Sequence, residues 1–203
     1  MKYHLLFWPL AAFFWPMFRI LFRWRISGVE NVPAGGAIIA PNHQSFFDIP
    51  LVALVLALHG RRTHFMAKSE LFRNPVFAWI IRGLLAFPVR RGAPDRMAIR
   101  YAIERLKQGE LVVIFPEGTR SKTGQLKEAE AGLSLIAARA GAPVVPVGIA
   151  GTRLMFSSTC RFPQVKIVFG SPIYLGRDEN DGNGTAENLG PQVMAAISDL
   201  IDR

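Results

Sequence analysis

Between residues 36 and 201, short and wholly apolar runs alternate with stretches of helical period, and this rhythm constrains the fold more than any other feature. The runs at Gly36–Ala40, Thr63–Ala67, Leu85–Val89, Leu111–Phe115, Val144–Ile149 and Val165–Phe169 read as strands. Asp48–Leu58, Asn74–Arg82, Asp95–Gln108, Glu130–Ala140 and Leu189–Ile201 read as helices. Pro50 suits a first helical turn, where a missing N–H costs nothing. Asp95 caps its helix and Gly109 stops it, with Met97, Ile99, Ile103 and Leu106 at helical spacing between them. Strands that are apolar at successive positions must be covered on both faces. The alternation therefore predicts an α/β fold: a single domain with a largely parallel or mixed central sheet flanked by helices. Residues 176–188 (GRDENDGNGTAEN) form the one polar, glycine-rich stretch and read as a surface loop.

A chain of 203 residues that is 50% hydrophobic has enough apolar surface for one such core, which excludes general disorder. Its single cysteine, Cys160, allows no internal disulfide and no zinc site built on several thiols. One thiol also fits a reducing compartment. The charge is uneven: residues 1–107 hold 15 of the 24 Lys and Arg but 5 of the 15 Asp and Glu. A basic half attracts phosphate-rich partners, whether nucleic acid, an anionic bilayer or phosphorylated substrates.

The first 28 residues, MKYHLLFWPLAAFFWPMFRILFRWRISG, discriminate among these. From Leu5 to Phe18 no side chain is charged, yet the run is shorter than the roughly 20 residues a spanning helix needs. Pro9 and Pro16 break it, which suits a bent pair of short helices. Arg19, Arg23 and Arg25 then interleave with Phe18, Leu21, Phe22 and Trp24, the composition of a helix lying in the headgroup layer. A buried core helix competes with that reading. So does a signal peptide, although the aromatic crowding, the trailing basic cluster and the missing cleavage site oppose it. Residues 1–27 are therefore expected to be an interfacial membrane anchor and residues 28–203 the folded domain. A nucleic-acid partner is not expected, because no matching motif accompanies the basic charge.

Two polar constellations follow apolar runs. The first, Asn42-His43-Gln44-Ser45-Phe46-Phe47-Asp48, begins just after the strand at 36–40. Residues five apart diverge on a straight helix, so His43 and Asp48 meet only if His43 lies in the turn and Asp48 in the first helical turn. A carboxylate beside an imidazole fixes its tautomer and raises its basicity, leaving the other nitrogen free to take a proton from an alcohol. The spacing alone is weak, and Ser45 and Asp48 equally resemble a helix capping box, with the two roles of Asp48 resting on different atoms.

The second constellation, Phe115-Pro116-Glu117-Gly118-Thr119-Arg120-Ser121, follows the strand at 111–115. Gly118 permits close backbone approach, Arg120 offers a planar fork for phosphate, and Thr119 and Ser121 add hydroxyls. A plain turn held by a Glu117–Arg120 pair remains equally open. Lys68, Arg90 and Arg91 follow two other strands and would reach the same rim if the strands are parallel.

NHQSFFD and FPEGTRS resemble two signature blocks of the glycerolipid acyltransferases, the family of 1-acyl-glycerol-3-phosphate acyltransferase. AKSELFRNPVFAWIIRGLLAFPVRRG (67–92) and VVPVGIAG (144–151) resemble two further blocks, in family order. The resemblance covers about residues 35–151. It implies that His43 is the general base for a glycerol hydroxyl and that Asp48 orients His43. It implies that the hydroxyl attacks a fatty acyl thioester, without an acyl-enzyme, a metal or a cofactor. Lys68 and Arg120, assisted by Arg91, would hold the acceptor's phosphate together with Gly118 and Thr119. Glu117 would order the phosphate loop or an acceptor hydroxyl, and Pro146 would shape the acyl-binding wall. Backbone N–H groups near His43 or Gly118 are the expected oxyanion donors.

The implied reaction makes phosphatidic acid from lysophosphatidic acid, with acyl-CoA or acyl carrier protein as donor. The implied place is the cytoplasmic face of a membrane, as a monotopic protein among membrane lipids. Another lyso-lipid acceptor, or a non-catalytic lipid-binding protein on the same fold, are the alternatives. Oligomeric state is not legible.

Overall fold

The computed structural model describes residues 16, 19–90, 95–121, 123–155, 162–176 and 187–202. Seven strands form one sheet: β1 (Arg25–Ser27), β2 (Ala37–Pro41), β3 (Thr63–Lys68), β4 (Ala86–Val89), β5 (Leu111–Val113), β6 (Val144–Ala150) and β7 (Lys166–Phe169). Helices α1 (Asp48–Leu58), α2 (Pro75–Gly83), α3 (Arg96–Lys107), α4 (Gly132–Ala140) and α5 (Leu189–Asp202) connect or follow them. The strand order is β1-β7-β6-β2-β5-β3-β4. Every pairing is parallel except β6 with β7, so the sheet is mixed, as the alternation predicts.

Burial on both faces explains why the strand sequences are continuously apolar. In β2, Ala37 and Ile39 join one core while Ile38 and Ala40 join the other. The first core packs Leu51, Val52, Val55 and Leu56 of α1 on Val113, Val145 and Val147. The second packs α3, α4 and α5 on Val112, Ile114 and Val144. At Gly148 the α5 backbone approaches so closely that a Cβ would lie 2.6 Å from Leu200 Cβ and 2.9 Å from its carbonyl carbon.

The ends of the elements follow their local chemistry. Asp95 caps α3 by accepting from Met97 N and Ala98 N. Asn74 caps α2 in the same way, with Pro75 at its first position. β5 stops at Val113, two residues before the apolar run ends, although Ile114 stays buried in the second core and its N–H donates to Ile39 O at 3.0 Å. Pro88 is tolerated because β4 is an edge strand.

Residues 22–27, the end of the expected amino-terminal anchor, lie in the folded domain. β1 pairs with β7, and Phe22 and Trp24 are buried in the first core. Residues 1–15, 17 and 18 of the expected anchor lie outside the described residues, as do Arg91, Cys160 and most of the 176–188 loop. Among the described residues no helix is long and apolar enough to cross a membrane.

Candidate active site

Parallel strands deliver their carboxyl ends to one rim, where α/β folds gather ligands. The turn after β2 is pinned there by Asn42, whose side chain accepts from Ile149 N (2.7 Å) and donates to Ile149 O (2.9 Å). His43 follows. Its N–H donates to Glu117 Oε1 at 3.0 Å, and its carbonyl accepts from Ser121 N at 2.8 Å. The two constellations therefore interlock through the backbone of His43.

Asp48 opens α1 and is fully buried. Its Oδ2 lies 3.0 Å from His43 Nδ1 and accepts from Gln44 N and Ser45 N, each at 2.7 Å. Turn and first helical turn thus bring the pair together in the arrangement the spacing requires. The capping role and the imidazole contact fall on the same oxygen, not on two. Two N–H donors on that oxygen mark it as an acceptor, so the Nδ1–H points to it and, in the neutral imidazole, the lone pair is on Nε2. The Phe115 ring lies 4.2 Å from the imidazole, centroid to centroid, and restricts its tilt. Oδ1 of Asp48 and Oε2 of Glu117 are buried without a hydrogen-bond partner among the described residues.

Glu117 does not pair with Arg120, so the plain-turn reading fails in that respect. Glu117 is buried and turned to His43, while the Arg120 guanidinium stacks 3.8 Å from the centroid of the exposed Phe46 ring. Gly118 has φ +63, and a Cβ there would meet the Glu130 carboxylate, so the close approach it permits is that of a side chain. Thr119 Oγ1 accepts from Lys127 Nζ at 3.1 Å. Among the N–H groups near His43 and Gly118, that of His43 donates to Glu117 Oε1 and that of Gly118 to Phe115 O.

Lys68 ends β3, half-exposed and 3.4 Å from Glu70 Oε1. Arg90 follows β4, and its backbone N–H donates to Asp95 Oδ2 at 2.9 Å. That bond, with those from Ala98 and Met97, holds the Asp95 carboxyl below its ordinary range. Pro146 is buried within β6, its carbonyl accepting from Gly170 N at 2.8 Å, and it is not among the lining of the two cavities described next.

One of these cavities, of about 680 Å³, runs from Phe115, Pro116 and Gly118 to Met66, Ile99 and Leu133. The other, of about 740 Å³, lies beside Gln44 and is bordered by Thr123, Gly124, Arg153 and Leu154. Sequence reasoning missed the bracing by Asn42, the stacking by Phe115 and the place of Arg153. Asn42 and Phe115 sit inside the two constellations. Arg153 carries no sequence signal, because only the fold brings it beside Gln44.

Comparison with known proteins bears on the family and the fold. The sequence model of the acyltransferase family matches residues 23–150. A chloroplast 1-acyl-sn-glycerol-3-phosphate acyltransferase of Brassica napus is 34% identical over 157 residues, which are 73% of this chain and 44% of that one. The 1-acyl-sn-glycerol-3-phosphate acyltransferase of Bacillus subtilis is 32% identical over 151 residues, 74% of this chain and 73% of that one. This chain thus spans less than half of the plant relative. The crystal structure of a 1-acyl-sn-glycerophosphate acyltransferase from Thermotoga maritima superposes with a TM-score of 0.69 at 26% identity, covering 99% of this chain and 85% of that one. The family match takes in every strand from β2 to β6 and both interlocked loops, and this chain belongs to the acyltransferase family.

Proposed function

We propose that the protein transfers a fatty acyl group from an acyl thioester to the free hydroxyl of 1-acyl-glycerol 3-phosphate, giving phosphatidic acid. The observation that carries this reading is the His43–Asp48 contact, which engages Nδ1 and leaves Nε2 as the ring nitrogen for proton transfer. Nε2 takes the proton of the acceptor hydroxyl as its oxygen attacks the thioester carbonyl carbon. The buried Asp48 carboxylate stabilises the imidazolium that forms. As the tetrahedral intermediate collapses, the C–S bond breaks and the thiolate takes that proton, leaving an ester and a free thiol. The chemistry needs no serine of the protein, because the substrate supplies the hydroxyl; Ser45 Oγ accepts from Phe47 N and Ser121 Oγ donates to Gln125 O.

Lys68, Arg120 and Arg91 hold the acceptor's phosphate, with Gly118 and Thr119 shaping the loop that carries Arg120. Glu117 acts through His43, whose backbone it fixes. The cavity of about 680 Å³ is within the range of small-molecule pockets and is lined largely by apolar side chains. It seats the acyl chain better than Pro146, which is packed inside the sheet. The donor is acyl-CoA or acyl carrier protein. The enzyme works as a monotopic protein on the cytoplasmic face of a membrane, held by the aromatic and basic residues of its amino-terminal segment.

The test is an acceptor panel. Purified protein with a long-chain acyl thioester is given lysophosphatidic acid, glycerol 3-phosphate or lysophosphatidylcholine, and the lipid products are identified. Phosphatidic acid from lysophosphatidic acid alone is the expected result. A product from another acceptor keeps the chemistry and refutes the assigned substrate. No product with any acceptor, with either thioester carrier, refutes the proposal.

A further inference from the structure

Helix α2 wears its apolar side outward. Val76, Phe77, Trp79 and Ile80 are 65%, 55%, 58% and 47% exposed, and Leu71 just before the helix is 42% exposed. Ala78 is the only buried residue of the helix. Residues 76, 79, 80 and 83 lie along one stripe of an α-helix, so this is a continuous face and not scattered exposure. Soluble monomers rarely leave such a patch uncovered. Two cations flank it, Arg73 and Arg82, both exposed, and neither pairs with a carboxylate among the described residues.

We infer that the outward face of α2 is a second membrane contact, belonging to the folded domain itself, that docks on an anionic phospholipid surface. Charge selects this occupant over the others. A two-fold dimer across this face would gather Arg73 and Arg82 of both copies into one interface, and α2 carries no carboxylate to pair them. The amino-terminal run Leu5–Phe18 carries no carboxylate, so laid on α2 it would leave Arg73 and Arg82 without a counter-charge. A plane of lipid phosphates matches both arginines, and Phe77 and Trp79 are side chains suited to the headgroup boundary. The position also fits. Lys68 heads the same connection from β3 to β4, so a bilayer under α2 brings lipid phosphates to the edge of the rim.

This inference goes beyond the proposed reaction, and its test does not depend on turnover. The full chain carrying Cys160→Ser and Trp79→Cys is labelled with an environment-sensitive fluorophore. It is then mixed with vesicles of phosphatidylglycerol and phosphatidylethanolamine, or of phosphatidylcholine alone. The expected result is a label in water without vesicles that becomes apolar on the anionic vesicles and is quenched there by brominated acyl chains. Arg73→Ala and Arg82→Ala should each raise the anionic lipid needed for half the change about fivefold, as expected for about 1 kcal/mol per cation. Phe77→Cys repeats the measurement should a label at position 79 disturb the fold. A label already shielded before vesicles are added would overturn the inference, dilution then separating a second copy from the chain's own segment. A label still in water on vesicle-bound protein would overturn it too.

Discussion

Asp48 holds His43 from two directions. Its Oδ2 lies 3.0 Å from the imidazole Nδ1 and also accepts from the N–H groups of Gln44 and Ser45, the backbone that carries His43 into place. One oxygen thus sets both the tautomer of the ring and the bend that points it.

Asp48→Asn separates those tasks. The amide oxygen can still accept from Gln44 N and Ser45 N, so the turn survives. The neutral amide no longer stabilises an imidazolium. The expected loss in kcat is on the order of 10²–10⁴-fold, with KM for the acceptor little changed. Steady-state kinetics beside a melting curve checks this, and a fall in melting temperature large enough to explain the lost activity would speak against it.

Glu117 is expected to be a positioning residue. Glu117→Ala leaves the buried N–H of His43 without an acceptor, which costs roughly 1–3 kcal/mol of stability. Glu117→Gln keeps an oxygen for that N–H and should recover most of the loss. Urea unfolding of both variants decides it. A Gln variant as unstable as the Ala variant would mean the charge, not the hydrogen bond, holds the loops together.

Gly118→Ala forces a side chain into φ +63 and against Glu130. The left-handed backbone alone costs about 1–2 kcal/mol. Pairing it with Glu130→Ala removes the steric part and leaves the backbone part. In a double-mutant cycle the coupling between the two positions should be favourable but incomplete, and strict additivity would contradict the close approach.

Far from the rim, His64 is buried with its Nε2 2.8 Å from Glu110 Oε2 and Tyr101 OH 3.2 Å from its Nδ1. Burial pushes its imidazole below the ordinary 6.5, against the opposing pull of the Glu110 hydrogen bond. A depressed folded value means the unfolded chain binds the proton more readily. The stability His64 contributes is therefore complete above about pH 6.5 and is lost as pH falls through the folded value. Thermal melts from pH 8 to pH 5 should show a fall toward acid that is shallower in His64→Gln. An identical slope in the variant would contradict the assignment.

Much of the fold is legible in the chain because its signals are local. The run at 111–113 has one reading, a strand covered on both faces, and Asp95 marks the start of α3 by the bonds it makes. What escapes is set by distant partners. β1 has three residues and becomes a strand only by pairing with β7, 141 positions away in register. Phe22 and Trp24 look interfacial in sequence and are core in the structure, since aromatics beside arginines have the same composition in either place. At the site, His43 and Asp48 were readable as a pair from their spacing and the motif around them. The tie from Glu117 to the His43 backbone was not, because a hydrogen bond to main chain 74 positions away leaves no local pattern of residue types.

The most direct test of the account is thiol release from a long-chain acyl thioester in the presence of lysophosphatidic acid, comparing the wild-type protein with His43→Ala. The account predicts release by the wild type that falls by at least about 10²-fold in a variant that melts at the same temperature. A folded His43→Ala protein that releases thiol within tenfold of the wild-type rate would contradict it.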